Sequence, residues 1–254
     1  DGSKSNITDN KKNILDQYEE VKNIMLKKWP DSLYIPYLQA NTNTYDKLNN
    51  LKKVYKPLLK LDNTVGLAIA TRPDCISDDV LDYLDEINKK TFLMVELGLQ
   101  SSYDKTLKYI NRGHDVECFA KMVKKLKDRN IFVVAHIING LPGETKEMMI
   151  NTAKYLNKTN IDAVKIHMLH IVKDTKLADI YLEKPFHVLS KEEYIDIVCE
   201  QLAVLDPKIV IERITGDPII ENLITPNWLT KKFVLLNDID KEMKKRNTYQ
   251  GINF

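Results

Sequence analysis

Cysteine is scarce in this chain: three in 254 residues, at Cys75, Cys118 and Cys199. Their odd number and wide spacing exclude a disulfide framework and match no metal-ligand spacing. They read as small inert hydrophobes, a reducing cytoplasm is the expected location, and no residue is expected to bind a metal. No apolar run approaches the ~20 residues that cross a bilayer, so no membrane partner is expected. Charge of one sign is also lacking: 38 basic and 36 acidic side chains give a formal net charge of +2. That balance makes no electrostatic case for nucleic acid, while leaving room for a local basic patch. No stretch rich in Gly, Pro or Ser marks a linker, and no low-complexity segment occurs. The polar start, Asp1-Gly-Ser-Lys, has no signal-peptide pattern. It also lacks Met, and a fragment or the ordered part of a longer polypeptide is expected.

What is present is enough apolar content, 43%, for one sizeable core. Apolar residues at Ile14, Tyr18, Val21 and Met25 predict a helix over 10–28, ended by Trp29-Pro30-Asp31. Strands are predicted over 33–39, 65–70, 92–99, 131–138 and 163–169. Helices are predicted over 46–59, 77–89, 103–110, 115–129 and 146–157, the second with a serine cap at Ser77. A long loop runs on to about residue 187. Ser190-Lys-Glu-Glu193 is a capping box before a helix that ends near Leu205. A strand over 208–214 and a helix over 228–246 follow. Strands alternating with helices at this spacing predict right-handed βαβ units and a parallel sheet, hence an α/β fold. The continuous run Ile131-Phe-Val-Val-Ala fits a strand covered on both faces.

In such folds the functional face lies at the C-terminal ends of the strands. The polar clusters fall there: Gln39–Thr44, Thr71–Asp74, Glu96/Gly98/Gln100, His136/Asn139 before Gly140–Glu144, and Lys165/His167 before His170 and Lys173. Five ends in register imply a large polar cavity at one mouth. Plainer readings stand beside the functional ones. Arg72 and Asp74 can pair across a turn, Gly140–Gly143 can be an ordinary turn, and His167 and His170 can be satisfied core histidines. Glu96 is different, because a buried carboxylate needs a partner or a ligand.

The run Val95-Glu96-Leu97-Gly98-Leu99-Gln100-Ser101, followed by Ile110-Asn111-Arg112-Gly113-His114-Asp115, carries a family resemblance. Together with Thr71-Arg72-Pro73-Asp74 and the segment His136–Thr145, it resembles the radical S-adenosylmethionine (SAM) enzymes. Within them it is similar to an uncharacterised bacterial Fe–S oxidoreductase family related to the Elongator catalytic subunit, over nearly the whole chain. The resemblance implies a partial (βα)6-type TIM-like barrel over 1–187, with five core parallel strands visible, and a small α/β extension over 188–254. It implies a [4Fe-4S] cluster and SAM as cofactors, and a 5′-deoxyadenosyl radical that abstracts hydrogen from an unknown substrate, RNA being one candidate. A flavodoxin or ferredoxin would supply the electron.

Carried over by position, Asn41, Thr42, Asn43 and Thr44 match the motif that meets the methionine amino group. Gln100 and Ser101 match the element beside ribose and methionine. Arg112 matches the residue that holds the SAM carboxylate, a task suited to a planar guanidinium fork. His136 stands where relatives bond the ribose hydroxyls through an Asp. Asn139 and Leu141 belong to the turn near adenine, and Leu169 to an adenine contact. Arg72 and Glu96 are counted with these cofactor-binding residues. Lys165, His167, His170 and Lys173 are the candidates for substrate contact or proton transfer. The three-cysteine cluster signature does not occur; its strand and loop are expected upstream of Asp1. The rival readings are a cluster-free SAM- or RNA-binding module, and an ordinary barrel enzyme binding phosphate after Leu141–Thr145.

Overall fold

The computed structural model of the protein describes residues 12–39, 41–216, 220–228 and 232–254. In chain order its elements are α1 (Ile14–Leu26), β1 (Tyr37–Leu38), α2 (Leu48–Leu58), β2 (Gly66–Thr71), a 3-10 turn (Pro73–Cys75) and α3 (Asp78–Asn88). Then come β3 (Phe92–Gln100), α4 (Asp104–Tyr109), α5 (Val116–Lys127), β4 (Phe132–Asn139), α6 (Lys146–Leu156) and β5 (Ala163–Met168). The remainder comprises β6 (Ile171–Val172), α7 (Lys176–Glu183), α8 (Lys191–Val204), β7 (Val210–Arg213), a 3-10 turn (Ile220–Asn222), β8 (Leu223–Thr225) and α9 (Lys232–Lys245).

The main sheet has six strands in the order β1-β2-β3-β4-β5-β7, every pair parallel. Each crossover therefore steps one strand in the same direction. With right-handed crossovers, the helices fall on one face and the sheet forms an arc of a barrel. This α/β partial barrel is the expected fold, with one strand more than the five core strands expected. Val210–Arg213 does not stand apart: it pairs with β5 through Ala163↔Val210 and Lys165↔Arg213.

Strand alternation divides the sheet into two faces. Leu67 and Ile69, then Leu93, Val95, Leu97 and Leu99, then Val133, Ala135 and Ile137, then Val164 and Ile166 are all buried in the main core. Helices close that core with Val80, Leu84 and Ile87 of α3, Phe119, Val123 and Leu126 of α5, and Tyr194 and Val198 of α8. The alternate residues, including Ala68, Ala70, Glu96, Gly98, His136, Lys165 and His167, belong to the concave face.

Local chemistry sets the helix starts. Asp115 accepts from the Cys118 backbone N–H at 2.7 Å, and Ser190 with Glu193 completes the expected capping box. Ser77 holds the N-cap position of α3, but its hydroxyl donates to the Asp79 carboxylate at 2.5 Å and does not cap the backbone. The long loop expected after β5 contains two elements. Thr175 caps α7 through the Ala178 N–H at 3.2 Å, and β6 pairs antiparallel with β8. The first strand is two residues long, at one edge of the sheet, although Tyr34 still bridges Thr64. Among the described residues, no helix is long and apolar enough to cross a membrane.

Candidate ligand-binding site at the barrel mouth

One buried carboxylate organises the concave face. Glu96, 2% exposed, accepts at Oε2 from the Tyr37 hydroxyl at 2.6 Å and from His136 Nε2 at 2.6 Å. Its Oε1 accepts from Lys165 Nζ at 2.5 Å. Lys165 Nζ also lies 3.4 Å from Glu212 and 4.8 Å from the centre of the Tyr37 ring. The belt thus joins β1, β3, β4, β5 and β7. Tyr37 reaches past β2 because the concave positions there are the small Ala68 and Ala70. Burial pushes the Glu96 carboxyl up, but the His136 hydrogen bond and charge and then Lys165 outweigh it, leaving it at about 2. An ionised carboxylate only accepts, so His136 Nε2 carries the donated proton. Burial and the Glu96 charge push the Tyr37 phenol up and keep it protonated.

His167 follows Lys165 by two residues on β5, and its ring centre lies 5.2 Å from that of His136. Burial first, then the charges of His136, Arg213 and Lys165, push the His167 imidazole down to about 3, so it is neutral. Its Nε2 is buried and has no hydrogen-bond partner among the described residues.

A second feature sits above Glu96, where β3 leaves the sheet. The β3–β4 register shifts between Gly98 and Gln100, and Gln100 adopts φ +71°. Glu96 and Gly98 share the concave face as expected; Gln100 lies beyond the irregularity and folds back over Gly98. A Cβ at Gly98 would lie 2.2 Å from Arg112 Nη2 and 2.5 Å from Gln100 Nε2. Only glycine leaves that space to the two side chains. Arg112 donates from Nη2 to the Gly98 carbonyl at 3.1 Å and from Nε to His114 Nε2 at 3.1 Å. His114 in turn uses Nδ1–H toward the Asp115 carbonyl at 3.1 Å. Burial and then the Arg72 charge push the Arg112 guanidinium down to about 10. Its acceptors are neutral, so among the described residues its charge is unmatched at contact distance and suits a ligand carboxylate.

Other expected site residues are engaged in holding the fold. Arg72 makes a two-point pair with Asp74 at 2.9 and 2.5 Å, the plainer of its two readings. Its Nη2 also lies 2.3 Å from where a Cβ on Gly113 would stand, beside the same corner. Asn43 donates to the carbonyls of Leu38 at 3.0 Å and Ala70 at 2.9 Å, and Thr44 to that of Cys75 at 2.7 Å. Those bonds pin Asn41–Thr44 to the ends of β1 and β2, with Asn41 exposed at φ +65° and Thr42 half-buried. Ser101 is fully buried and donates to Glu144. Asn139 and Gln201 exchange two amide hydrogen bonds at 2.8 Å each, so the Asn139 side chain ties β4 to α8 and is not presented to a ligand. Leu141 and Leu169 lie in a small apolar cluster with Ile171 and Ala178. Lys173 donates to the Glu221 carbonyl at 3.0 Å. His170 packs against Gly216, where a Cβ would meet its Cε1 at 2.4 Å.

Sequence reasoning missed Tyr37, Glu212, His114 as a partner of Arg112, and Gln201. Tyr37 and Glu212 could have been found by extending the strand alternation to the sheet's outer strands. No local pattern announces the Gln201 pairing.

The fold is an α/β partial barrel with a candidate site at its mouth, and comparison with known proteins gives its family. The Radical SAM superfamily profile matches residues 11–156, and the Radical_SAM C-terminal domain profile matches residues 161–245. The chain is 44% identical over 238 residues to the uncharacterized protein YtqA of Bacillus subtilis, covering 94% of this chain and 74% of that protein. It is 31% identical over 156 residues to a tRNA uridine(34) acetyltransferase of Methanocaldococcus infernus, covering 60% of this chain and 29% of that protein. An archaeal Elp3 structure from Methanocaldococcus infernus, lacking its N-terminus, superposes with TM-score 0.79 at 22% identity, over 93% of this chain and 60% of that one. The chain belongs to the radical SAM superfamily.

The two cofactors of that family fare differently here. The Arg112 guanidinium over Gly98, with only neutral acceptors among the described residues, has the charge and donor geometry for the amino-acid end of SAM. An iron–sulfur cluster needs convergent thiolates. Cys75, Cys118 and Cys199 lie on a 3-10 turn, on α5 and within α8, their thiols pushed up by burial. Among the described residues no cluster of metal-ligating side chains forms. This chain's cysteines do not fit an iron–sulfur cluster.

Proposed function

We propose that this chain is the SAM-holding barrel of a radical SAM enzyme related to Elongator, whose reaction class is hydrogen abstraction. The observation that supports it is the Gly98–Arg112 corner: a guanidinium without an anionic contact among the described residues, lying over a glycine where a single methyl group would displace it. Arg112 holds the SAM carboxylate, Gln100 lies beside it, and the Glu96 belt forms the floor that excludes water. The [4Fe-4S] cluster ligands are assigned to cysteines outside this sequence. Under this reading the protein works in a reducing cytoplasm with a flavodoxin- or ferredoxin-type donor.

RNA is the proposed substrate class, motivated by the similarity to a protein named for tRNA. Salt-sensitive binding of tRNA would support that part, because phosphate contacts release counterions. The SAM reading is tested by calorimetry. Arg112→Ala should weaken SAM binding by roughly tenfold or more, the value of a charge-assisted hydrogen bond. Unchanged affinity would mean that the carboxylate is held elsewhere. Formation of 5′-deoxyadenosine by this barrel together with whatever sequence supplies the cluster cysteines, assayed anaerobically, tests the reaction class.

A further inference from the structure

The lysines of this chain are distributed unevenly over its surface. Residues 45–62 hold five lysines and two aspartates, in a chain whose formal charge is only +2. Helix α2 itself contains no acidic residue. Lys53, Lys56 and Lys60 are exposed. Their spacing of three and four puts them on one face, opposite Leu51, Tyr55 and Leu58 in the core. The lysines of α5 are a contrast, since Lys121, Lys124, Lys125 and Lys127 each pair with a carboxylate. Among the described residues no carboxylate pairs with Lys53, Lys56 or Lys60. The acids of the neighbouring α3 are taken up elsewhere: Asp78, Asp82 and Asp85 pair with Lys125, Arg129 and Lys89. Asp46 accepts from the Lys47 backbone at 2.6 Å and from the Asn50 amide at 3.0 Å. Like charges one turn apart on a helix repel, so this stripe calls for an anion from outside.

The stripe leads to the mouth of the barrel. Helix α2 leaves the C-terminal end of β1 and descends the outer wall toward the start of β2, so its first turn stands at the rim. Tyr45 is there, 78% exposed. An exposed aromatic ring is a stacking platform for a base, and a row of ammonium groups tracks a chain of phosphates. We propose that the outer face of α2 holds the phosphate backbone of an RNA, with a base stacked on Tyr45 where the strand turns into the mouth. The choice of RNA among polyanions rests on the substrate class proposed above; the surface rests on the unpaired lysines. Contacts of this kind position the nucleic acid and do not read its sequence.

The test is fluorescence anisotropy of a fluorescein-labelled RNA stem-loop, titrated with this chain at stepped salt. One variant carries Lys53→Gln, Lys56→Gln and Lys60→Gln; a control carries Lys121→Gln, Lys124→Gln and Lys125→Gln and loses the same charge. Glutamine matches lysine as a helix former, and all six positions are exposed, so both variants should fold. The α2 variant should lower the slope of log affinity against log salt by about 2, at ~0.7 per phosphate contact, while the α5 control keeps it. Tyr45→Ala should weaken binding roughly tenfold with the slope unchanged. Equal losses in both lysine variants would reduce the effect to net charge and overturn the proposal. No loss in either would place the RNA elsewhere and leave the RNA reading standing, whereas no binding by the unaltered chain at low salt would overturn both. If the α2 variant keeps RNA but loses an acidic flavodoxin, the surface belongs to the electron donor and the proposal fails.

Discussion

Glu96 shows what one residue does here. Its carboxyl lies at about 2, below the ordinary 4.5, so folding favours the ionised form. A depressed carboxyl contributes stability that is present above the unfolded pKa and is lost as pH falls through the folded one. The window therefore runs from about pH 5 down to about pH 2. We predict that the stability advantage of the protein over Glu96→Gln shrinks by on the order of 3 kcal/mol across that window, at ~1.4 kcal/mol per unit. Urea unfolding at stepped pH measures it, and a constant difference would show that the charge is not what the belt uses. Glu96 was legible in the sequence as a carboxylate inside an apolar run. Its partners were not, because they are brought together from strands up to 69 residues away.

At the scale of elements, β4 and α8 are joined by the Asn139–Gln201 amide pair, with Gln201 Nε2 also donating to the Met149 carbonyl at 2.9 Å. Removing one partner leaves a buried amide unpaired. Gln201→Leu should cost about 1–3 kcal/mol, and Asn139→Leu added to it should cost less than the sum of the single changes. Urea unfolding of the four proteins tests this, and strict additivity would mean the pair is not coupled. The helices and most strands were legible within a few residues from apolar spacing and caps. What escaped were β6, α7 and β8, whose strands are only two and three residues long. The pairing of β6 with β8 spans some 50 residues, so no local periodicity records it. Asn139 was read as a site residue from its strand end and from the resemblance of its turn; that its side chain pairs with Gln201 on α8 no local signal announced.

The whole molecule is an arc with two edges, β1 and β7. Its middle strands, β3 and β4, are paired on both sides and backed by the main core, whereas β1 has two residues and one neighbour. Backbone amides in β3 and β4 should therefore exchange with solvent at least tenfold more slowly than those of β1, as read by hydrogen–deuterium exchange. Comparable rates would mean that the sheet opens as one unit. The curvature of the arc has a chemical tether in the Glu96 belt, and this bears on how the sequence can change through descent. Tyr37, His136 and Lys165 each direct a proton at the same carboxylate. Replacing Glu96 alone strands all three donors, while replacing any one donor leaves two in place. Inheritance should then treat position 96 as the slow partner: among homologues, substitutions at 37, 136 or 165 should occur singly with Glu retained, and loss of the Glu should be seen only alongside changes at several of the others.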